Sequence, residues 1–423
     1  MLIVCGQRLT KITLTRISQR IKRDVIRMSK GVSLREWLPL IGMMLSAFIF
    51  NSSEFMPIGL LTDIGDTFGT SEAQTGLIVS VYAWAVMILS LPLMVLATRV
   101  DFRRLFLVVL FVFFVGQVLS SVAVNYGMLM AARLVVACAH SVFWAIVAPI
   151  AVRVVMPHHQ ALALSVIEVG SAVAMVAGLP LGRTIGLLMS WRLTFSCVAG
   201  VALILFLYMV RVMPKIPGAQ PFGFSRLPNI FRNKALVGLF VLTALYSMGY
   251  YTGYSYIEPF FRQVASLKDG VITAALCVFG AAGIVSSFLY AKGYARFRFF
   301  FLGSVVVGLT LSLMLLRFAA VSVVFVMILC AVWGLSSAAF SIAVQAEIIR
   351  NAPGEEQTVA MAIFSGLFNL GIGTGTFFGG QVVTFLGIEN IGFAGAILGL
   401  MASVYCFLVV IARLREKPSR KTQ

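Results

Sequence analysis

The sequence predicts an all-α membrane protein, twelve transmembrane helices in two six-helix bundles, and three observations predict it. Of 423 residues 60% are hydrophobic and only 11% are charged, with a mean hydropathy of +0.99, which is more apolar surface than a water-soluble domain can bury. The apolar residues fall into twelve runs of about 19 to 29 residues, and at about 1.5 Å per residue each can cross a hydrocarbon layer about 30 Å thick. The two halves of the chain also resemble each other at an offset of 197 residues.

The runs are expected at residues 38–61, 73–97, 105–125, 127–152, 162–187, 193–213, 236–260, 270–291, 298–316, 321–347, 358–386 and 391–412. The offset sets ALSVIEVGSAVAMVAGLPLG, from Ala163, against AMAIFSGLFNLGIGTGTFFGG, from Ala360, and pairs Gly178 with Gly375, Gly182 with Gly379, Arg153 with Arg350 and Phe143 with Phe340. A repeat of six spans is one way secondary transporters are built, with the solute site between the halves. The expected organisation is a basic N-terminal segment, 1–36, a first bundle, 37–213, a linker rich in Pro, Gly and basic residues, 214–235, a second bundle, 236–412, and a basic tail, 413–423.

The formal charge of +18 raises the question of nucleic acid, but the placement of the basic residues answers it. With the N-terminus inside, 27 of the 33 Lys and Arg fall on the cytoplasmic side, as the positive-inside rule requires. They are dispersed among short loops and not gathered on one face for phosphates, so no nucleic-acid partner is expected. Both termini are predicted to be cytoplasmic. Residues 1–36 hold Ile17, Ile21 and Val25 at helical spacing among nine basic residues, a pattern suited to a membrane surface; a translation start near Met28 is the simpler expectation.

The six cysteines show no CxxC and no paired spacing, and His140, His158 and His159 form no zinc-ligand pattern. Neither metal nor cofactor is expected, and no nucleophile and base are arranged for an enzyme.

Function is therefore sought in the polar residues that interrupt the spans. Span one, WLPLIGMMLSAFIFNSSEFMPIGLL, carries a single acid near its middle, Glu54. A charge at that depth costs several kcal/mol and marks a functional site by default. In span four, RLVVACAHSVFW, the residues Arg133, His140 and Trp144 share one helical face, and Arg133 lies at the depth of Glu54. An ion pair between the two is expected, with a static structural pair as the plain alternative. His140 either satisfies an interhelical hydrogen bond or relays protons and contacts solute.

Span seven, LYSMGYYTGYSYIEPFF, repeats tyrosine at Tyr246, Tyr250 and Tyr254 with Tyr251 alongside, giving flat rings and hydroxyls suited to sugar-like ligands. Span ten sets Ser337, Ser341 and Gln345 four apart, and the offset places Tyr251 opposite Glu54 and the two serines opposite His140 and Trp144. With Asn51, Trp84 and Asn369 they make up the expected solute lining, polar and without a second buried cation. Glu258 is ranked below Glu54 as a coupling acid, while Glu168 and Glu347 are expected to reach the membrane interface. In span five, GLPLGR places Gly178, Pro180 and Gly182 where helices approach closely and bend.

NSSEFMPIGLL, YAWAVMILSLP, ACAHSVFW, GLPLGR followed by WRLTF, YSYIEPF and FSGLFNLGIG together resemble the bacterial sugar efflux transporters, major facilitator proteins of the drug/proton antiporter branch. The likeness runs in order through residues 37 to about 412. It implies alternating access and export of arabinose-like sugars or thiogalactosides driven by proton entry, with Glu54 as the acid, Arg133 and His140 as the basic face, and Gly178, Pro180 and Gly182 as a seal. The superfamily's loop signature departs here to ATRVDFRR, keeping Asp101 but neither glycine. The expected partners are a small polar solute, protons and the lipid bilayer, and the expected state is a monomer. Export of drugs or nucleosides is the alternative, and a receptor without transport is the more distant one.

Overall fold

The computed structural model describes residues 34–97, 100–156, 159–216, 227–352 and 356–415, so most of the basic N-terminal segment, part of the linker and the end of the tail lie outside it. The helices make twelve passes, and among the described residues eleven are individually long and apolar enough to cross a membrane. The fifth pass is made of Gln160–Val173 and Leu179–Leu188, joined by a π turn, Ala174–Gly178. The cause is local: Pro180 has no N–H to donate, so the ladder of the preceding turn loses a rung and widens.

Polar residues set the ends of several passes. Asp101, Asn125 and Ser190 cap spans three, four and six by accepting from the backbone N–H of Arg104, Met128 and Leu193, and Asn233 caps span seven through Ala235 and Leu236. Span one runs beyond its predicted limit: Leu34–Phe55 passes through a 3₁₀ turn, Met56–Leu60, into Leu61–Phe68, and ends on Gly69 in the left-handed region (φ 63°). Pro57, at the start of the 3₁₀ turn, starts that change of winding. Span seven likewise continues from Lys234–Tyr254 into Ile257–Gln263. The continuous stretch Asp269–Ala319 holds two passes, eight and nine, which meet where Phe297 leaves helical geometry (φ −124°, ψ 37°).

One buried apolar core is built from the first half of the chain and the start of the linker, around Phe50, Phe106, Phe113, Phe143 and Met209. A second, around Leu309, Trp333, Phe340 and Ile372, takes in Ile58, Leu61, Val79 and Ala83 of the first half. Those four residues lie toward the end of the bundle remote from the 214–235 connection, hereafter the far end. Large aliphatic and aromatic side chains such as Ile204, Leu315, Phe318 and Leu408 point outward and are well exposed, as lipid-facing positions should be.

Candidate functional site

Glu54 lies inside the protein, 7% exposed, on the last turn of Leu34–Phe55. Its Oε2 lies 3.7 Å from His140 Nε2, too long for a hydrogen bond. The expected pair with Arg133 is not formed: among the described residues no ion pair joins the two. Arg133 instead turns to the neighbouring residue, donating from Nη1 to Ser53 Oγ at 3.0 Å and from Nη2 to the Ser53 carbonyl at 2.9 Å. Its guanidinium carbon also sits 4.5 Å from the centre of the Tyr82 ring, which stabilises a buried cation through the ring face. The reason is reach: Ser53 faces the span-four helix and satisfies a planar donor pair at once, whereas Glu54 is rotated by about 100° about its helix, toward the interior between the halves.

Gln117 of span three donates a short hydrogen bond to the same Ser53 hydroxyl. Neither Gln117 nor Ser53 was among the expected site residues, although an amide in a largely apolar span three was a usable signal. His140 is held by rings, with Phe50, Tyr82 and Trp144 centred 5.9, 5.6 and 6.2 Å away. Around Glu54 the buried atoms His140 Nδ1, Tyr82 Oη, Arg133 Nε and Gln117 Oε1 have no hydrogen-bond partner in the protein. Such a group of orphans is costly unless something polar visits it.

Across the seam, Phe55 stacks with Tyr251 at 6.3 Å, and Tyr251 is within electrostatic reach of Glu54. The residue set opposite Glu54 by the internal repeat is thus also its neighbour in space. Tyr250 and Tyr254 stack at 4.9 Å, and Trp333 meets both edge to face at 5.9 Å, with Phe279 4.9 Å from Tyr254. Trp333 was not among the predicted lining residues. It lies one turn before Ser337 on the same face of span ten, a spacing that could have found it. Tyr246 packs flat on Phe340 at 3.5 Å and belongs to the core.

The other predicted lining residues divide. Trp84 bridges the halves, its indole N–H donating to Thr374 Oγ1 at 3.2 Å. Ser337 donates to Gly334 O, Gln345 to Ser341 Oγ, and Asn369 to Ser365 O, each at 3.0 Å and within its own helix. Asn369 Oδ1 is left buried without a partner. Among the described residues no hydrogen bond joins this stripe to span four. Asn51 and Trp144 are half-buried.

Of the expected seal, Gly178 and Gly182 press on span one of their own half: a Cβ on Gly178 would meet Ser52 Cα at 3.0 Å, and one on Gly182 would meet Met56 Sδ at 3.1 Å. Pro180 is buried between them. Asp101 caps span three and pairs with Arg104 Nε at 3.1 Å.

Glu347 departs from expectation. It does not reach the interface but is fully buried, accepting from Tyr294 Oη and gripped at both oxygens by Arg298. An acid at the membrane edge can be drawn inward when a guanidinium from the next helix supplies both donors. The side chain of Glu168 lies outside the described residues.

Glu258, ranked second, is also wholly buried, at the far end. Arg183 Nη1 approaches its Oε1 at 2.9 Å, Arg262 Nε lies at 3.0 Å from the same oxygen, and Thr62 Oγ1 donates to Oε2 at 2.7 Å. Arg183 and Thr62 belong to the first half and Glu258 to the second. Gln263 donating to Glu72 at 2.6 Å, and Arg183 reaching Asp269 at 2.9 Å, add further ties. These ties, with Trp84–Thr374, lie between the middle of the bundle and the far end, so the halves are closed there.

Two bundles that meet on a buried carboxyl, a histidine and a tyrosine cluster, closed at one end, define a membrane carrier. The chain belongs to the Major Facilitator Superfamily, whose profile matches residues 43–298 and 290–423, and it is a transporter and not an enzyme. It is 38% identical over 382 residues, 90% of this chain and 96% of the relative, to a probable sugar efflux transporter of Mannheimia succiniciproducens. Among solved structures it resembles a bacterial homologue of the human lysosomal transporter Spinster, inward-facing and occupied, with a TM-score of 0.71 at 15% identity over 92% of this chain and all of that one. A POT family transporter in complex with 5-aminolevulinic acid aligns with a TM-score of 0.71 at 12% identity, covering 90% of this chain and 96% of that one. These last two likenesses concern the fold.

Proposed function

We propose that this transporter exports sugar-like, uncharged polar solutes in exchange for protons, and that Glu54 carries the proton. The observation that carries the reading is the environment of that acid: it is buried, it faces the seam, and the one nearby guanidinium is committed to Ser53. A carboxyl so placed is not locked in a permanent ion pair, so its charge can change as the site is presented to either side. The tyrosine and tryptophan cluster across the seam offers flat faces, and orphaned polar atoms on both halves offer hydrogen bonds to hydroxyl groups. The likeness to the Mannheimia probable sugar efflux transporter supports sugar as the solute class.

In this reading both termini are cytoplasmic, the membrane is the bacterial inner one, the far end faces outward, and a single chain is the working unit. Solute enters from the cytoplasm while the far end is shut. Loading favours the opposite state, and a proton taken up by Glu54 from outside favours return; each ligand shifts the equilibrium only by its unequal affinity for the two states.

The test is accumulation of labelled arabinose and isopropyl thiogalactoside by inverted vesicles under an imposed pH gradient. Uptake that follows the gradient, and is lost in Glu54→Gln while solute binding remains, supports the proposal. Gradient-driven uptake unchanged in that variant sinks the assignment of Glu54.

A further inference from the structure

The charged group at the far end has one more member than the closed state uses. Arg183, fully buried, makes three bonds: Nη1 to the Gly59 carbonyl at 2.8 Å and to Glu258 at 2.9 Å, and Nη2 to Asp269 at 2.9 Å. Arg262 spans Glu258 and Asp269, each at 3.0 Å. Two cations and two acids thus balance across the seam. Asp63 stands beside them, within electrostatic reach of all four, with Oδ2 buried and without a partner. It lies one helical turn beyond Gly59 on span one, on the same half as Arg183.

When the far end opens, the bonds divide according to which half owns them. Glu258, Arg262 and Asp269 all belong to spans seven and eight and stay together. Arg183 and the Gly59 carbonyl both belong to the first half and also stay together. The bonds broken are Arg183 to Glu258, Arg183 to Asp269 and Thr62 to Glu258. A buried guanidinium stripped of its carboxylates would oppose opening strongly, unless a second carboxylate waits on its own half.

We infer that Asp63 is that second carboxylate: Arg183 exchanges Glu258 and Asp269 for Asp63 as the far end opens, and this exchange sets how often the carrier faces outward. Glu258 is then a latch for the closed state and Asp63 a receiver for the open one. Two acids beside the same arginine group act in opposite directions. The inference rests on the alternating-access reading above but not on the identity of the proton carrier.

Opposite directions give the test. Ser80, fully buried and with its carbonyl against Gly373 of the other half, is replaced by cysteine in a full-length chain whose native cysteines are changed to alanine. Its labelling by a membrane-impermeant maleimide is followed in right-side-out and inverted membranes, with labelled solute present to drive turnover. Folding is monitored by size exclusion. Glu258→Gln is expected to speed far-side labelling about tenfold, the effect of shifting the equilibrium by about 1.4 kcal/mol. Asp269→Asn, at a half-exposed position, should do so to a smaller degree and stands in if Glu258→Gln fails to fold. Asp63→Asn is expected to slow labelling several-fold. Labelling that moves the same way in the Asp63 variant and in the Glu258 or Asp269 variants, or that moves in none of them, overturns the exchange. Glu54→Gln measured in parallel separates the two ideas, since its coupling defect bears on the proton carrier and leaves these signs untouched.

Discussion

Arg133 spends two of its nitrogens on Ser53, at 3.0 and 2.9 Å, and leaves Glu54, the next residue along the helix, facing His140 at 3.7 Å. One residue of sequence separates the anchor of Arg133 from the acid proposed to carry the proton. The chemistry of the site depends on that division.

Removing the anchor tests it from the structural side. Ser53→Ala deletes the hydroxyl shared by Arg133 and Gln117 and leaves two buried donors short of a partner. A loss of about 1–3 kcal/mol is expected, seen as a lower unfolding temperature in detergent. Because the Ser53 carbonyl still holds Arg133, transport should weaken without losing its dependence on the pH gradient. A Ser53→Ala protein with wild-type stability would show that the anchor contributes little.

Trp333 completes the aromatic group with Tyr250 and Tyr254. Trp333→Leu keeps the core filled but removes a flat face, and aromatic contacts of this kind contribute about 0.5–1.5 kcal/mol beyond their area. The half-saturating solute concentration should therefore rise up to about tenfold with the proton dependence intact. No change in solute affinity would place Trp333 in the packing alone.

Glu347 and Arg298 predict a defect of a different kind. Their pairing lies wholly within the second half, so Glu347→Gln should leave the partly buried Arg298 and the buried Tyr294 poorly satisfied and cost a few kcal/mol, on the order of 3. Thermal unfolding should shift downward while solute affinity in the surviving folded protein stays put. A selective loss of affinity would contradict a purely structural role.

Gly373 packs where the halves touch, and a Cβ there would meet the Ser80 carbonyl at 2.9 Å and the Trp84 ring closer still. Gly373→Val should keep the seam from closing at mid-depth. Far-side accessibility should rise and export fall, whereas a fully active carrier would mean that the contact is dispensable.

Depth and face were legible in the sequence; the rotation of one helix against another was not. The run lengths gave the passes, helical spacing placed Arg133, His140 and Trp144 on one face, and the 197-residue repeat set Tyr251 opposite Glu54, where Phe55 and Tyr251 now stack. The choice of Arg133 between Ser53 and Glu54 depends on about 100° of turn about span one, which no spacing rule fixes. Arg183 and Glu258 each sit near the same end of their spans, so their shared depth was readable. Their meeting was not, because it requires knowing which end of the bundle is shut. Trp333 was missed because an aromatic in an apolar span, here beside Phe325 and Phe340, looks like core until its ring neighbours are seen.

The most direct measurement is proton movement itself. Proteoliposomes loaded with a pH-sensitive dye and given a solute gradient alone should show dye signals that follow solute flow in the wild type. Glu54→Gln should still exchange labelled solute for unlabelled while the dye stays silent. Solute-driven proton flux that persists in Glu54→Gln would contradict the account at its centre.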